Sequence, residues 1–131
     1  MISTKGRYAL RIMIDLAEHM NEQYVPLKEI AQRQSISKKY LESIVKELVA
    51  ANLISAANGR SGGYKLCRDP KNYTIWEILN TAEGTLATVA CLAPNAAPCD
   101  RANICKTLPM WVEFDKMVYD YFAKKTLADL L

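Results

Sequence analysis

The chain has a single histidine, and no two of its four cysteines stand close enough to make a C-x-x-C pair. A thioredoxin-type dithiol and an ordinary structural zinc site both lean on such close pairs, so neither is favoured. Long apolar runs are also missing; none approaches the ~20 residues a membrane-spanning helix needs. The opening stretch "MISTKGRYALRIMIDLAEHM" has no signal-peptide shape, because charges interrupt its apolar residues. These absences point to the cytoplasm and to no membrane partner. The sequence shows no internal repeat and no low-complexity tract. It has no phosphate-cradling glycine loop and no nucleophile set beside a base, so an enzyme is not expected.

What is present is a chain of 131 residues with 50% hydrophobic and 24% charged content, the make-up of one globular domain or a domain with an appendage. The net charge of +3 is unevenly placed. Residues 1–70 carry 11 Lys/Arg against 7 Asp/Glu, a balance of +4, and residues 71–131 carry 6 against 7, a balance of −1. The N-terminal half is therefore the candidate partner for a polyanion, although an ordinary solvated surface would give a balance of the same size.

Apolar periodicity organises that half. Ala9, Ile12, Met13, Leu16, Ala17 and Met20 recur at helical spacing and predict one buried face, with Ser3 or Thr4 as cap and "NEQY" as terminator. "VPLKEIAQRQ" predicts a short second helix around Leu27, Ile30 and Ala31, with Pro26 in its first turn. After the turn "QSIS", Ser37 caps a third helix with Leu41, Ile44, Val45, Leu48 and Val49 inward. Lys39, Glu42, Ser43 and Lys46 lie on its opposite face. A short helix, a tight turn and a longer helix with a polar, partly basic face read as a helix-turn-helix. Two strand-like runs, Leu53–Ala56 and Tyr64–Cys67, then flank "NGRSGG". Asn58-Gly59 and Gly62-Gly63 are expected to supply positive φ at a hairpin tip that presents Arg60. A hairpin directly after the reading helix is a wing.

The second half begins with "YTIWEILNTAEG", an amphipathic helix using Ile75, Trp76, Ile78 and Leu79 and stopped at Gly84. A loop with three thiols follows: Cys91, Cys99 and Cys105, interrupted by Pro94 and Pro98. In a reducing cytosol such thiols bind metal or do redox chemistry rather than forming fixed disulfides. From the residues alone an iron–sulfur cluster, zinc and a thiol switch all remain open. Cys67 is expected to be a small buried apolar residue. His19 is expected to act as a charge at a helix C-terminus, and Asp100 as a solvated turn residue. Thr107, with Pro109 in the first turn, is expected to cap a last helix. The face made by Met110, Trp111, Phe114, Met117, Val118, Tyr121 and Phe122 is wider than so small a domain can cover. It suggests a dimer interface, with packing on the parent domain as the plain alternative.

Taken together, "STKGRYAL", "IAQRQSISKKYLESIVKELVAANLI", "GRSGGYKL" and a three-cysteine loop before a Trp-containing helix resemble the Rrf-type bacterial transcriptional regulators from Met1 to Leu131. The chain looks most like the iron–sulfur cluster regulators of the IscR type, with a cysteine spacing closer to RirA- and NsrR-type loops. The resemblance implies a homodimer on a palindromic operator in double-stranded DNA. It also implies a [2Fe–2S] or [4Fe–4S] cluster on Cys91, Cys99 and Cys105. Departures are equally specific. Leu108 stands where the IscR type has a histidine ligand, and Arg7 where some NsrR-type proteins supply an acid from the partner's first helix. Tyr40 and Glu42 match the reading-helix pattern, whereas Lys39 and Ser43 replace Ser and Gln. Asn58 holds the usual place of the wing arginine, with Arg60 two residues later.

The expected protein is thus mostly α, a winged helix-turn-helix DNA-binding domain with a C-terminal dimerisation helix. Its expected divisions are a DNA-binding domain over 1–83, a cysteine loop over 84–106, and a dimerisation helix with tail over 107–131. The expected DNA contacts are Lys38, Lys39, Tyr40, Glu42, Ser43, Lys46 and Arg60. The expected function is a transcriptional regulator sensing iron–sulfur or iron status. A nitric-oxide or thiol-redox responsive regulator of the same fold is the alternative, and a zinc-stabilised interaction module stands further off.

Overall fold

A computed structural model describes residues 1–21 and 23–131. Five helices and one hairpin follow in the order α1 (Thr4–Glu18), α2 (Leu27–Gln34), α3 (Lys38–Ala50), β1 (Ile54–Ala57), β2 (Gly63–Leu66), α4 (Ile75–Glu83) and α5 (Leu108–Lys124). Among the described residues no helix is long and apolar enough to cross a membrane. The core lies where α1, α2, α3 and α4 meet the base of the hairpin. Ala9, Ile12, Met13, Ile30, Leu41, Ile44, Leu48 and Ile78 are all buried there, and they are the periodic apolar positions of their helices. Met20 departs from that pattern. Helix α1 ends at Glu18, so Met20 falls beyond its last turn and is 51% exposed. Glu22, within the segment expected to end α1, lies outside the described residues.

Asp15 sits on the inward side of α1 and is 1% exposed. Arg33 donates to both of its oxygens, at 2.8 and 3.0 Å, and Gln34 donates at 2.9 Å. Burial pushes this carboxyl up, but the hydrogen bonds and charge of Arg33, with the Gln34 bond, outweigh it and hold the group below its ordinary value. The network pins the end of α2 to α1. Ser35 follows in the left-handed region, φ 54°, and makes the sharp turn. Ser37 then caps α3 by accepting from the Tyr40 N–H at 3.2 Å.

Strands β1 and β2 pair antiparallel from Ile54↔Leu66 to Ala57↔Gly63. Only Gly59 and Gly63 of the four expected tip residues have positive φ, 96° and 146°. Gly63 is needed for a second reason. Val25 and Tyr64 exchange backbone bonds at 2.8 and 2.9 Å, and a Cβ on Gly63 would fall 2.2 Å from the Val25 carbonyl oxygen. The segment before α2 is thereby laced to the hairpin. Cys67 corrects an expectation: it lies one residue past β2 and is exposed. The fully buried residue at that base is Tyr73, whose hydroxyl donates to the Leu53 carbonyl at 2.7 Å and accepts from the Cys67 and Arg68 N–H groups.

Helix α5 contains no buried residue. Its inner edge rests on α4, where Trp76 and Tyr119 meet edge to face with ring centres 4.8 Å apart. The chain then turns back. Thr126 bridges Thr74, and Leu127 is fully buried in the main core. The C-terminal tail therefore packs with the winged domain rather than with α5.

Candidate functional site

Two groups of residues stand out. The first is the outer face of α3. Lys38, Lys39, Glu42, Ser43 and Lys46 are exposed, and Tyr40 is half-buried. The Ser43 hydroxyl donates to the Tyr40 carbonyl at 2.7 Å, which orients it along the helix. The Tyr40 ring meets the Tyr8 ring of α1 edge to face at 5.7 Å, and Arg11 lies over Tyr8 at 5.0 Å. Tyr40 is thus held by an aromatic neighbour. Arg60 is exposed at the wing tip. It lines a groove of about 570 Å³ with Gln23, Tyr24, Pro26, Glu29, Ser61 and Gly62. Wing tip and α2 entrance therefore share one open groove.

The second group is the cysteine loop. A single 3-10 turn over Ala90–Leu92 carries Cys91, and Pro94, Pro98 and a left-handed Asn95, φ 66°, keep the rest irregular. Short backbone bonds fold it into successive tight turns, among them Ala93 to Ala90 and Cys105 to Arg101. These turns bring Cys91, Cys99 and Cys105 around one cavity of about 100 Å³, whose other walls are Leu92, Ala102 and Leu108. The donors are thiols alone; the remaining walls are apolar. All four cysteines are unpaired. Among the described residues no three His, Cys, Asp or Glu side chains are drawn together closely enough to hold a single metal ion. The three thiols line this cavity without converging on one point.

Cys105 is the distinctive thiol. Thr107 stands at the head of α5 but makes no side-chain cap to it. Its hydroxyl lies 3.4 Å from the Cys105 sulfur instead. That hydroxyl, followed by the backbone N–H groups of Thr107 and Leu108, holds the Cys105 thiol below its ordinary value. The other end of the loop is tied as well. Asp115 of α5 accepts from the Thr88 N–H at 2.8 Å and from the Thr88 hydroxyl. The arm carrying Cys91 and the helix following Cys105 are therefore fastened to each other. His19 and Asp100 do not line the thiol cavity. His19 occupies the C-cap position of α1, with Nδ1 2.7 Å from the Asp15 carbonyl.

The Asp15–Arg33 network, the Asp115–Thr88 tie and the contacts of α1 with α3 went unforeseen from sequence. A lone acid on an apolar stripe, Asp15, was the one signal available for any of them.

A helix-turn-helix whose second helix turns its polar face outward, followed at once by a two-stranded wing, defines a winged helix-turn-helix protein of the DNA-binding class. Comparison with known proteins narrows this. The model of the Rrf2 family, described as an iron-dependent transcriptional regulator, matches residues 2–131, and the chain belongs to that family. It is 37% identical over 130 residues to the protein rrf2 of Nitratidesulfovibrio vulgaris, covering 99% of this chain and 86% of that one. Among solved structures it is similar to CymR (YrzC), the global cysteine regulator of B. subtilis, with a TM-score of 0.77 and 35% identity over 99% of this chain and 95% of that chain. It is also similar to T. potens IscR, with a TM-score of 0.77 and 32% identity over 99% and 85% of the two chains. Membership makes the protein a transcriptional regulator rather than an enzyme.

Proposed function

We propose that this regulator is a cytoplasmic homodimer that binds a palindromic DNA operator and reports iron–sulfur status through its cysteine loop. The observation that carries the reading is the convergence of Cys91, Cys99 and Cys105 on one apolar-walled cavity. Soft thiolates select iron–sulfur cores, and such a core supplies a group whose presence depends on iron and oxidants. Three thiolates are all that the cavity offers, and Leu108 is among its apolar walls. Cys91 and Cys105, held by the Asp115–Thr88 tie and the head of α5, connect the loop directly to α5. In this reading residues 1–83 read DNA, 84–106 sense, and within 107–131 it is α5 that carries the contact between subunits, the tail after it being packed on the winged domain.

On the DNA side, Lys38, Lys39 and Lys46 meet phosphates or guanine, Tyr40 a phosphate, Ser43 a base edge, and Glu42 a cytosine amino group. Arg60 enters the minor groove, where negative potential favours arginine. The outward α5 residues Met110, Phe114, Met117 and Tyr121, with half-buried Trp111 and Val118, face the second subunit.

A second reading, a thiol-redox regulator without iron, draws on the depressed Cys105 thiol and on the likeness to a cysteine regulator. Anaerobic purification with iron and sulfide analysis separates the two. Visible absorption with bound iron and sulfide, lost in each of Cys91→Ala, Cys99→Ala and Cys105→Ala and kept in Cys67→Ala, is the expected result. A colourless wild type, or a colourless Cys67→Ala beside a coloured Cys99→Ala, overturns the assignment.

A further inference from the structure

Glu83, the last residue of α4, reaches across to the first turn of α1. One carboxylate oxygen accepts three donors there: the Ser3 N–H at 3.0 Å, the Ser3 hydroxyl at 2.7 Å and the Gly6 N–H at 2.9 Å. A helix start has free N–H groups and a positive dipole end, and a carboxylate satisfies both. Ser3 makes no side-chain cap to its own helix; the cap arrives from α4. Gly6 leaves the room for this approach, because a Cβ there would fall 2.3 Å from that same oxygen and displace the carboxylate.

The turn so held is the one that braces α3. Lys5 lies 2.5 Å from Glu47 of α3. Tyr8, one turn on, meets the Tyr40 ring at 5.7 Å. Lys5 and Tyr8 are three residues apart and share a face of α1. Glu47 and Tyr40 are seven apart and share a face of α3. The first two turns of α1 thus grip α3 at both ends of the stretch that contains Glu42, Ser43 and Lys46.

We infer that Glu83 is a positioning residue for DNA recognition, which acts through the first turn of α1 to set how α3 presents its base-reading side chains. The inference rests on the reading of α3 as the recognition helix. Glu83 itself touches no DNA in this account.

Gly6→Ala is the informative substitution. It improves helix propensity yet expels the carboxylate, which is the movable end of a side chain. Glu83→Ala removes the carboxylate directly. Glu83→Gln keeps an amide oxygen able to accept the same donors and serves as the conservative rescue. Each protein, and the Gly6→Ala/Glu83→Ala pair, is put through selection from random DNA and binding at one fixed salt concentration. Gly6→Ala and Glu83→Ala are expected to lose roughly tenfold in specific affinity, the size of one mis-set base contact. Non-specific affinity should stay within about twofold and the salt slope unchanged, because no phosphate contact is removed. The double variant should be no worse than either single one, since both break the same clasp, and Glu83→Gln should stay near wild type. Wild-type preference and affinity in Gly6→Ala and Glu83→Ala overturn the inference, as does an equal loss of specific and non-specific binding. A wild type that selects no sequence removes the recognition-helix reading and this inference with it.

Discussion

Replacing Met117 by glutamate should convert the protein to a monomer. Met117 is 61% exposed on α5, in a row with Met110 at 52%, Phe114 at 41% and Tyr121 at 59%. Burying a whole Met side chain is worth roughly 1.5–3 kcal/mol, so the exposed part of Met117 is worth about 1–2 kcal/mol. A two-fold interface counts each position twice, giving about 2–4 kcal/mol per dimer. That corresponds to roughly a 30- to 900-fold weaker dimer, before the cost of placing two carboxylates in an apolar contact is added. Val118 is half-buried against its own subunit, so Met117 is the cleaner probe. Sedimentation equilibrium across a concentration series gives the dissociation constant directly, with helix content by circular dichroism as the control for folding. An unchanged dimer with unchanged helix content would refute α5 as the contact and leave its apolar row unexplained.

Two other outcomes follow from the DNA-binding half. Arg33→Ala strands the buried Asp15 carboxylate and should cost about 2–4 kcal/mol at neutral pH by denaturant titration, reduced from the fully buried case because Arg33 is partly solvated. Asp15 sits below its unfolded value of about 3.9, so its contribution is complete above that pH and lost as pH falls through the folded value. The gap between wild type and Arg33→Ala should therefore narrow below about pH 4, and a gap constant from pH 7 to pH 3 would remove Asp15 as its source. Glu42→Ala should relax preference at one base pair per half-site, worth roughly 1–3 kcal/mol of discrimination, while Lys39→Ala or Lys46→Ala lowers affinity for every sequence. Identical selected sequences from Glu42→Ala and wild type would make Glu42 a solvated surface residue.

The elements were legible because each one carries its own local signature. Ser37 caps, Gly84 stops, and apolar positions recur at helical spacing, so α1 to α5 and the wing appear in the expected order. What sequence could not carry is pairing across distance. Glu83 and Ser3 lie 80 residues apart, and Asp115 and Thr88 lie 27 apart; neither pair leaves a periodic trace. Cys67 departs from its expected burial for a related reason. Its neighbour Leu66 completes the buried side of β2, and the chain leaves the sheet one residue sooner than alternation suggested. Tyr73 fills the buried role at that base, and no pattern around it announces this. The three loop thiols were legible as a group, but their shared cavity depends on turns set by Pro94, Asn95 and Pro98. Leu108 was legible as the residue in place of a ligand, and the folded loop places it among the cavity's apolar walls.

The proposed function joins the two groups of residues, with the state of the cysteine loop setting DNA affinity. Its most direct test is the dissociation constant for the selected operator, measured anaerobically at one fixed salt concentration for cluster-bearing protein and for the same preparation after the cluster is stripped. Couplings between sites typically change affinity about 5- to 150-fold, and a change within that range, abolished in Cys99→Ala, is the predicted result. Equal constants for the two forms, within about twofold, would contradict the account and leave a DNA-binding protein whose thiols serve another purpose.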